Sequence, residues 1–123
     1  MSFQGKENCE LAEYLFEKIT DLPSDKTHLS QAMYRAIISR AYYGSFIETR
    51  EYFGIRDNSG SVHSLVKNRL KNEDRRTGNN LSSLLQLRKK ADYNNTVGSS
   101  ARESKESTRL ASNILAYIES KKT

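Results

Sequence analysis

Apolar residues recur along this chain at intervals of three and four, and strand-like alternation is nearly absent. Leu11, Leu15 and Ile19, with Phe16 beside them, form the stripe of a first helix from about Lys6 to Thr20. Pro23 stops that helix, and Asp25 or Thr27 supplies a side chain able to cap the next. A long second helix follows, from about Thr27 to Phe53. Met33, Ile37 and Ala41 fall on one of its faces, and Tyr34, Ile38, Tyr42 and Phe46 run along the neighbouring one. At 1.5 Å per residue it is about 40 Å long, the spine of the fold. Gly44 lies inside it. Glycine in a helix interior costs about 1 kcal/mol against alanine, a cost that close approach by another helix would justify.

Gly54 and Asp57-Asn58-Ser59-Gly60 make a loop. Val62, Leu65, Val66 and Leu70 mark a short third helix. Asn72 to Asn79 is polar, charged and glycine-containing, and reads as a mobile loop. Leu81, Leu84, Leu85 and Leu87 open a fourth helix that ends near Tyr93, where Asn94-Asn95 can turn the chain. Ser100-Ala101-Arg102-Glu103 has capping-box spacing and opens a last helix with Leu110, Ile114, Leu115 and Ile118 on its buried face. There are no internal repeats. The expectation is an all-α bundle of four or five helices, one domain over 1–123.

Composition narrows this further. Apolar residues make up 36% of the 123 residues, enough for a helical domain with a narrow core. No run approaches the roughly 20 apolar residues of a membrane span. The first residues, Met1 to Glu7, lack a hydrophobic signal region. With one cysteine, Cys9, no disulfide forms within the chain, which points to a reducing compartment. The expected location is cytoplasmic, with no membrane partner. Cys9 lies in a helical pattern without a histidine nearby in sequence, and reads as a small buried residue. His28 sits beside a cap position and reads as solvent-exposed.

The net charge is +5 and the pI about 9.4, which favours an anionic partner, most simply nucleic acid. The charge is concentrated. Lys67, Arg69, Lys71, Arg75, Arg76, Arg88, Lys89 and Lys90 are opposed between them only by Glu73 and Asp74, a surplus of six cations. The first helix is acidic instead, with Glu7, Glu10, Glu13 and Glu17. The basic third of the molecule reads as a phosphate-binding surface.

Two strings within this pattern carry arginine and tyrosine where a core helix would carry leucine. They are Ile38-Ser39-Arg40-Ala41-Tyr42-Tyr43-Gly44-Ser45-Phe46 and Leu87-Arg88-Lys89-Lys90-Ala91-Asp92-Tyr93. In that order, with His63 opening the short helix between them, they resemble the HEPN domains (higher eukaryote and prokaryote nucleotide-binding). The match is to the small prokaryotic group with an SRAYYxxF helix and an LRxxADY helix end, and it runs from about Tyr34 to Ile118. The resemblance implies a helical bundle that pairs as a homodimer and acts on RNA. Many such proteins are metal-independent endoribonucleases of toxin–antitoxin or antiviral defence systems, often with a nucleotidyltransferase-like partner. Their signature is an arginine followed four to six residues later by a histidine. Arg88 occupies the arginine position here, but Asp92 and Tyr93 stand where the histidine would be. Arg56 and His63, with six residues between them, come near the spacing in the wrong place, across a glycine-containing loop. His63 matches a histidine often seen at the start of the third helix in this group.

Metal-free RNA cleavage needs the 2′-OH deprotonated, the phosphorane charge stabilised and the leaving oxygen protonated. Arg88 suits the second task, with its planar fork. His63 suits the first and third. Asp92 is either a base or a partner that orients Arg88 from one turn away. Tyr93 can bond phosphate or stack on a base. Arg40 either reaches Asp92 and locks two helices together or lines the cleft. Tyr43, with Arg40 and the lysines and arginines named above, is a candidate for nucleic-acid contact. The aromatic residues Tyr42, Tyr43 and Phe46 equally suit a core or a dimer interface. Two histidines, one cysteine and no clustered carboxylates supply no metal-ligand set, and no cofactor is implied. The alternative to a ribonuclease is a non-catalytic module of the same kind that binds RNA, a nucleotide or a protein partner.

Overall fold

The computed structural model describes residues 3–56, 59–93 and 101–122. Within them the chain is all-helical, a bundle of α1 (Phe3–Ile19), α2 (Ser30–Phe53), α3 (Val62–Glu73), α4 (Arg75–Tyr93) and α5 (Ala101–Lys121). A 3₁₀ turn over Ser24–Leu29 leads into α2. No side-chain cap closes either start: Pro23 precedes the turn and Leu29 precedes α2. Asp25 and Thr27 therefore lie inside the turn rather than capping a helix, and Thr27 Oγ1 donates to the Ser24 carbonyl instead. Expected turns at Asn94-Asn95 and the Ser100 end of the capping box lie outside the described residues.

Helix α2 packs against all four other helices. It buries Ile37, Ile38, Ala41, Tyr42 and Phe46 together with Gly44, Ser45 and Thr49. Hydroxyls so deep in the core need partners. Ser45 Oγ donates to the Ala41 carbonyl at 2.8 Å, and Thr49 Oγ1 to the Ser45 carbonyl at 2.7 Å. At its end Gly54 adopts a left-handed φ of 65°, and the Gly54 and Ile55 N–H groups donate to the Glu51 and Arg50 carbonyls.

Of the stripe expected on α1, Ile19 is buried and Leu15 and Phe16 pack against the core, but one member is displaced. Leu11 is 39% exposed, whereas Cys9 and Ala12 are buried. The reason is the crossing with α2. A Cβ on Gly44 would stand 2.5 Å from both the Gly5 carbonyl oxygen and Cys9 Sγ, so only a backbone without side chains can pass there. Gly5, Cys9 and Ala12, small and at helical spacing, supply the matching face. Cys9 is a buried thiol, and burial pushes its pKa up to about 12, so it is no nucleophile.

The expected mobile loop at Asn72–Asn79 is instead a sharp corner between two helices. Only Asp74 separates α3 from α4, in an extended conformation. Its carboxylate accepts from the Thr77 N–H at 3.1 Å and from the Thr77 hydroxyl at 2.5 Å, a helix N-cap in all but length. Gly78 is buried, and a Cβ on it would overlap the backbone of Lys71, so α4 can fold straight back on α3. Glu73, next in line, accepts from Tyr52 at 3.0 Å and Tyr117 at 2.7 Å, tying α3 to α2 and α5. The polar composition of this segment is the chemistry of a corner, not of disorder.

One substitution tests the crossing. Gly44→Ala should gain helix propensity of about 1 kcal/mol in an unobstructed helix. Here overpacking against Gly5 and Cys9 reverses the sign, for a net loss of about 1–3 kcal/mol, read as a lower urea midpoint at unchanged slope.

Candidate functional site

Three helices bring polar and aromatic groups together on one side of α2. Tyr42 and Phe46, one turn apart, stack with centroids 6.0 Å apart, and Tyr43 meets Tyr42 edge-on at 5.6 Å. The first turn of α3, anchored by buried Val62, lays His63 over both: its ring lies 4.3 Å from Phe46 and 5.7 Å from Tyr42, nearly parallel to each. His63 Nδ1 and the Tyr42 hydroxyl share a hydrogen bond of 2.5 Å. From α4, between buried Leu84 and Ala91, Arg88 reaches the same rings. Its guanidinium carbon is 4.6 Å from the Tyr43 centroid and 5.7 Å from that of Tyr42. Arg88 Nε donates to Asp92 Oδ2 at 3.0 Å, which uses one edge of the fork. Among the described residues no partner takes its terminal nitrogens.

Arg88 and His63, 25 positions apart in the chain, thus meet on Tyr42. The charge of Arg88 acts on both His63 and Tyr42. Burial lowers the His63 pKa below 6.5, and Arg88, Arg50 and Lys89 lower it further. Burial also raises the Tyr42 pKa, against the pull of Arg88. At neutral pH the pair is a neutral imidazole bonded to a neutral phenol. With Nδ1 engaged, Nε2 is the nitrogen left for proton transfer.

The other expected residues are dispersed. Arg40 does not reach Asp92. Its Nη1 donates to Asn8 Oδ1 of α1 at 3.1 Å, and it lines a shallow groove with Ala36, Ser39, Tyr43 and Ile47. Asp92 is the partner of Arg88, and the side chain of Tyr93 lies outside the described residues. Tyr42 and Phe46 are buried and belong to the core, while half-buried Tyr43 carries Arg88. Lys89 is exposed and close enough to act on His63, but Lys90 is ion-paired with Glu103 of α5 at 2.6 Å. Arg69 covers Phe53 at 4.8 Å; Lys67 and Lys71 are half-buried along α3. Arg75 and Arg76 open α4, thirteen and twelve residues before Arg88, or about 20 Å along the helix. Arg76 borders a separate groove with Thr77, Asn80, Asn113 and Tyr117. His28 is exposed, as expected. Among the described residues no group of three histidine, cysteine, aspartate or glutamate side chains is placed to hold a metal ion. No helix there is long and apolar enough to cross a membrane.

Two participants escaped the sequence reading. One is the Tyr42 hydroxyl, whose partner sits on another helix. The other is Arg50, whose guanidinium lies 5.6 Å over the Phe46 ring. The signal for Arg50 was its spacing: Tyr42, Phe46 and Arg50 are four apart, hence on one helix face.

The lowered His63 pKa has a consequence for stability. The unfolded chain binds a proton on this histidine at higher pH than the folded one does, so acidification below about 6.5 favours unfolding. The stability of the wild type should fall between pH 7 and pH 5 more steeply than that of His63→Gln, measured as the pH dependence of Tm.

Neither the family models, nor the curated proteins, nor the solved structures gave a match to this chain.

Proposed function

We propose that this is a HEPN-like, RNA-directed protein and that the Tyr42–His63–Arg88 site is a metal-independent endoribonuclease centre, working in a homodimer. The observation that carries this reading is the meeting of a neutral, hydrogen-bonded histidine and a forked arginine on one aromatic residue, on a basic side of the molecule. A histidine beside three cations is electrostatically disfavoured when it charges, which keeps it available as a neutral group.

In this reading a phosphodiester lies on the terminal nitrogens of Arg88. With the His63 proton on Nδ1 and donated to Tyr42, Nε2 takes the proton of the ribose 2′-OH. The 2′-oxygen then attacks phosphorus, the bond to the 5′-oxygen breaks, and that oxygen leaves with the proton that His63 Nε2 had taken, which returns the imidazole to its neutral form. The products are a 2′,3′-cyclic phosphate and a 5′-hydroxyl. Arg88 holds the extra negative charge of the phosphorane. Asp92 orients the arginine through Nε. Tyr42 fixes the imidazole's orientation, and Lys89 and Arg40 extend the positive field. The half-buried stripe of Ala36, Tyr43 and Ile47 on α2 is available to a second copy. A nucleotidyltransferase-like antitoxin or another defence protein is the partner class that the resemblance implies.

The Arg88–Asp92 ion pair favours a second reading, a non-catalytic RNA-binding module, because a paired arginine is partly neutralised before substrate arrives. One experiment separates the two. Purified protein in excess chelator should cleave a mixed-sequence RNA to 2′,3′-cyclic phosphate ends. His63→Ala should slow this by about 10²–10⁴-fold and Arg88→Ala by about 10²–10³-fold. Cleavage should rise with pH through a pKa below 6.5 and then level off. RNA binding without cleavage selects the module; no binding at low salt removes both.

A further inference from the structure

We propose that Arg50 is a second phosphate ligand of this site, so that one RNA strand runs across His63, with one phosphate on Arg88 and another on Arg50. The inference rests on the RNA reading above and adds to it the path of the strand.

The site is flanked on both sides. The Tyr42 and Phe46 rings both contact His63. Tyr42 carries Arg88 at 5.7 Å on the α4 side, and Phe46 carries Arg50 at 5.6 Å on the side of the α2 C-terminus. The two rings are 6.0 Å apart along the helix, and each arginine stands beyond its own ring, so that both face the surface around His63. Arg50 is half-buried and, among the described residues, makes no ion pair. Arg88, by contrast, is held by Asp92.

A guanidinium held against the aromatic core, without a carboxylate and beside a histidine whose charging it opposes, is poised for an anion from outside. The end of a helix repels anions, but this end is blunted, since the Arg50 and Glu51 carbonyls already accept from Gly54 and Ile55. Past Arg50 the surface continues as a cleft lined by Glu51, Gly54, Ile55 and Arg56. Exposed Glu51 and Arg56 offset one another in charge on its wall, so the anion contact nearest His63 on this side is Arg50. Two anion contacts, one from α4 and one from α2, on either side of His63 fit the backbone of a single strand.

The test is binding of a fluorescent oligouridylate, long enough to cover the site, to the full chain across a salt series. Arg50→Gln should weaken binding several-fold and make the salt dependence shallower by about 0.7 in the log–log slope, the share of one phosphate on a single strand. Arg88→Gln should do the same, and the double variant about twice as much. Arg50→Lys, which keeps the charge and the aliphatic stem, should restore the slope. Arg109→Gln removes an equal charge from the Glu106-paired arginine on α5 and should change nothing beyond a small shift in affinity. A wild-type affinity and slope for Arg50→Gln, beside a weakened Arg88→Gln, overturns the second ligand and leaves the RNA reading standing. If Arg50→Gln and Arg50→Lys weaken binding equally with the slope unchanged, Arg50 serves only to cover Phe46 and the inference also fails. Absence of oligouridylate binding by the wild type at low salt brings down the RNA reading and this inference together.

Discussion

The contact on which the rest depends is the crossing of α1 and α2 at Gly5 and Gly44. With no Cβ on either residue the backbones pass close enough to bury Cys9 and Ala12 against α2. That crossing fixes which way α2 faces. Gly44 and Tyr42 are two residues apart, about 200° around the helix. A small face turned to α1 therefore turns Tyr42 and Phe46 toward α3 and α4. The aromatic groups meet His63 and Arg88 because the opposite side of the helix has been given to glycine.

The second constraint is electrostatic. A histidine packed flat on Phe46 and bonded to a phenol is held in one orientation, but burial alone would leave it an ordinary core residue. What distinguishes it is that its charged neighbours are all cations: Arg88, Arg50 and Lys89. Each raises the cost of protonating the ring, and none is a carboxylate that would pull its pKa upward. Asp92, the nearby acid, is turned to Arg88 instead. The result is a base that stays uncharged at neutral pH in a positive field suited to phosphate.

How far the residues foretold this differs by element. The apolar spacing of α2 and α5 gave their faces directly, and that of α3 did so apart from exposed Leu65, because a helix buries what recurs every three to four positions. In α1 the same rule placed Leu15, Phe16 and Ile19 but not Leu11: a close crossing selects small residues, and Leu11 ends in solvent while Cys9 does not. At Asn72–Asn79 polar composition suggested a loop, but Asp74 satisfies the first turn of α4 and Gly78 makes room for Lys71. A cap and a missing Cβ are hard to tell from a flexible segment by composition alone. Of the site, Arg88, Asp92 and His63 stood out by residue type. The role of the Tyr42 hydroxyl did not, because its partner lies 21 residues away and no local pattern reports it. Arg40 showed the reverse, an arginine conspicuous in sequence whose contact is an asparagine on α1.

The corner at Asp74 also determines whether the site can exist. Had α4 begun at Leu81, its first turns would be loop, and nothing would hold the helix in register against α3. Capped at Asp74 and folded back at Gly78, α4 runs antiparallel to α3 from its first residue, so the last turns of α4 lie beside the first turn of α3. Arg88 sits in those last turns, and His63 in that first one. The capping carboxylate lies at the far end of α4, about 20 Å from Arg88. It nonetheless sets the register that brings the arginine to the histidine. Two acidic residues that looked like mere offsets to a basic tract, Glu73 and Asp74, are therefore the fixings that hold the tract in place: one anchors α3 to Tyr52 and Tyr117, and the other starts α4.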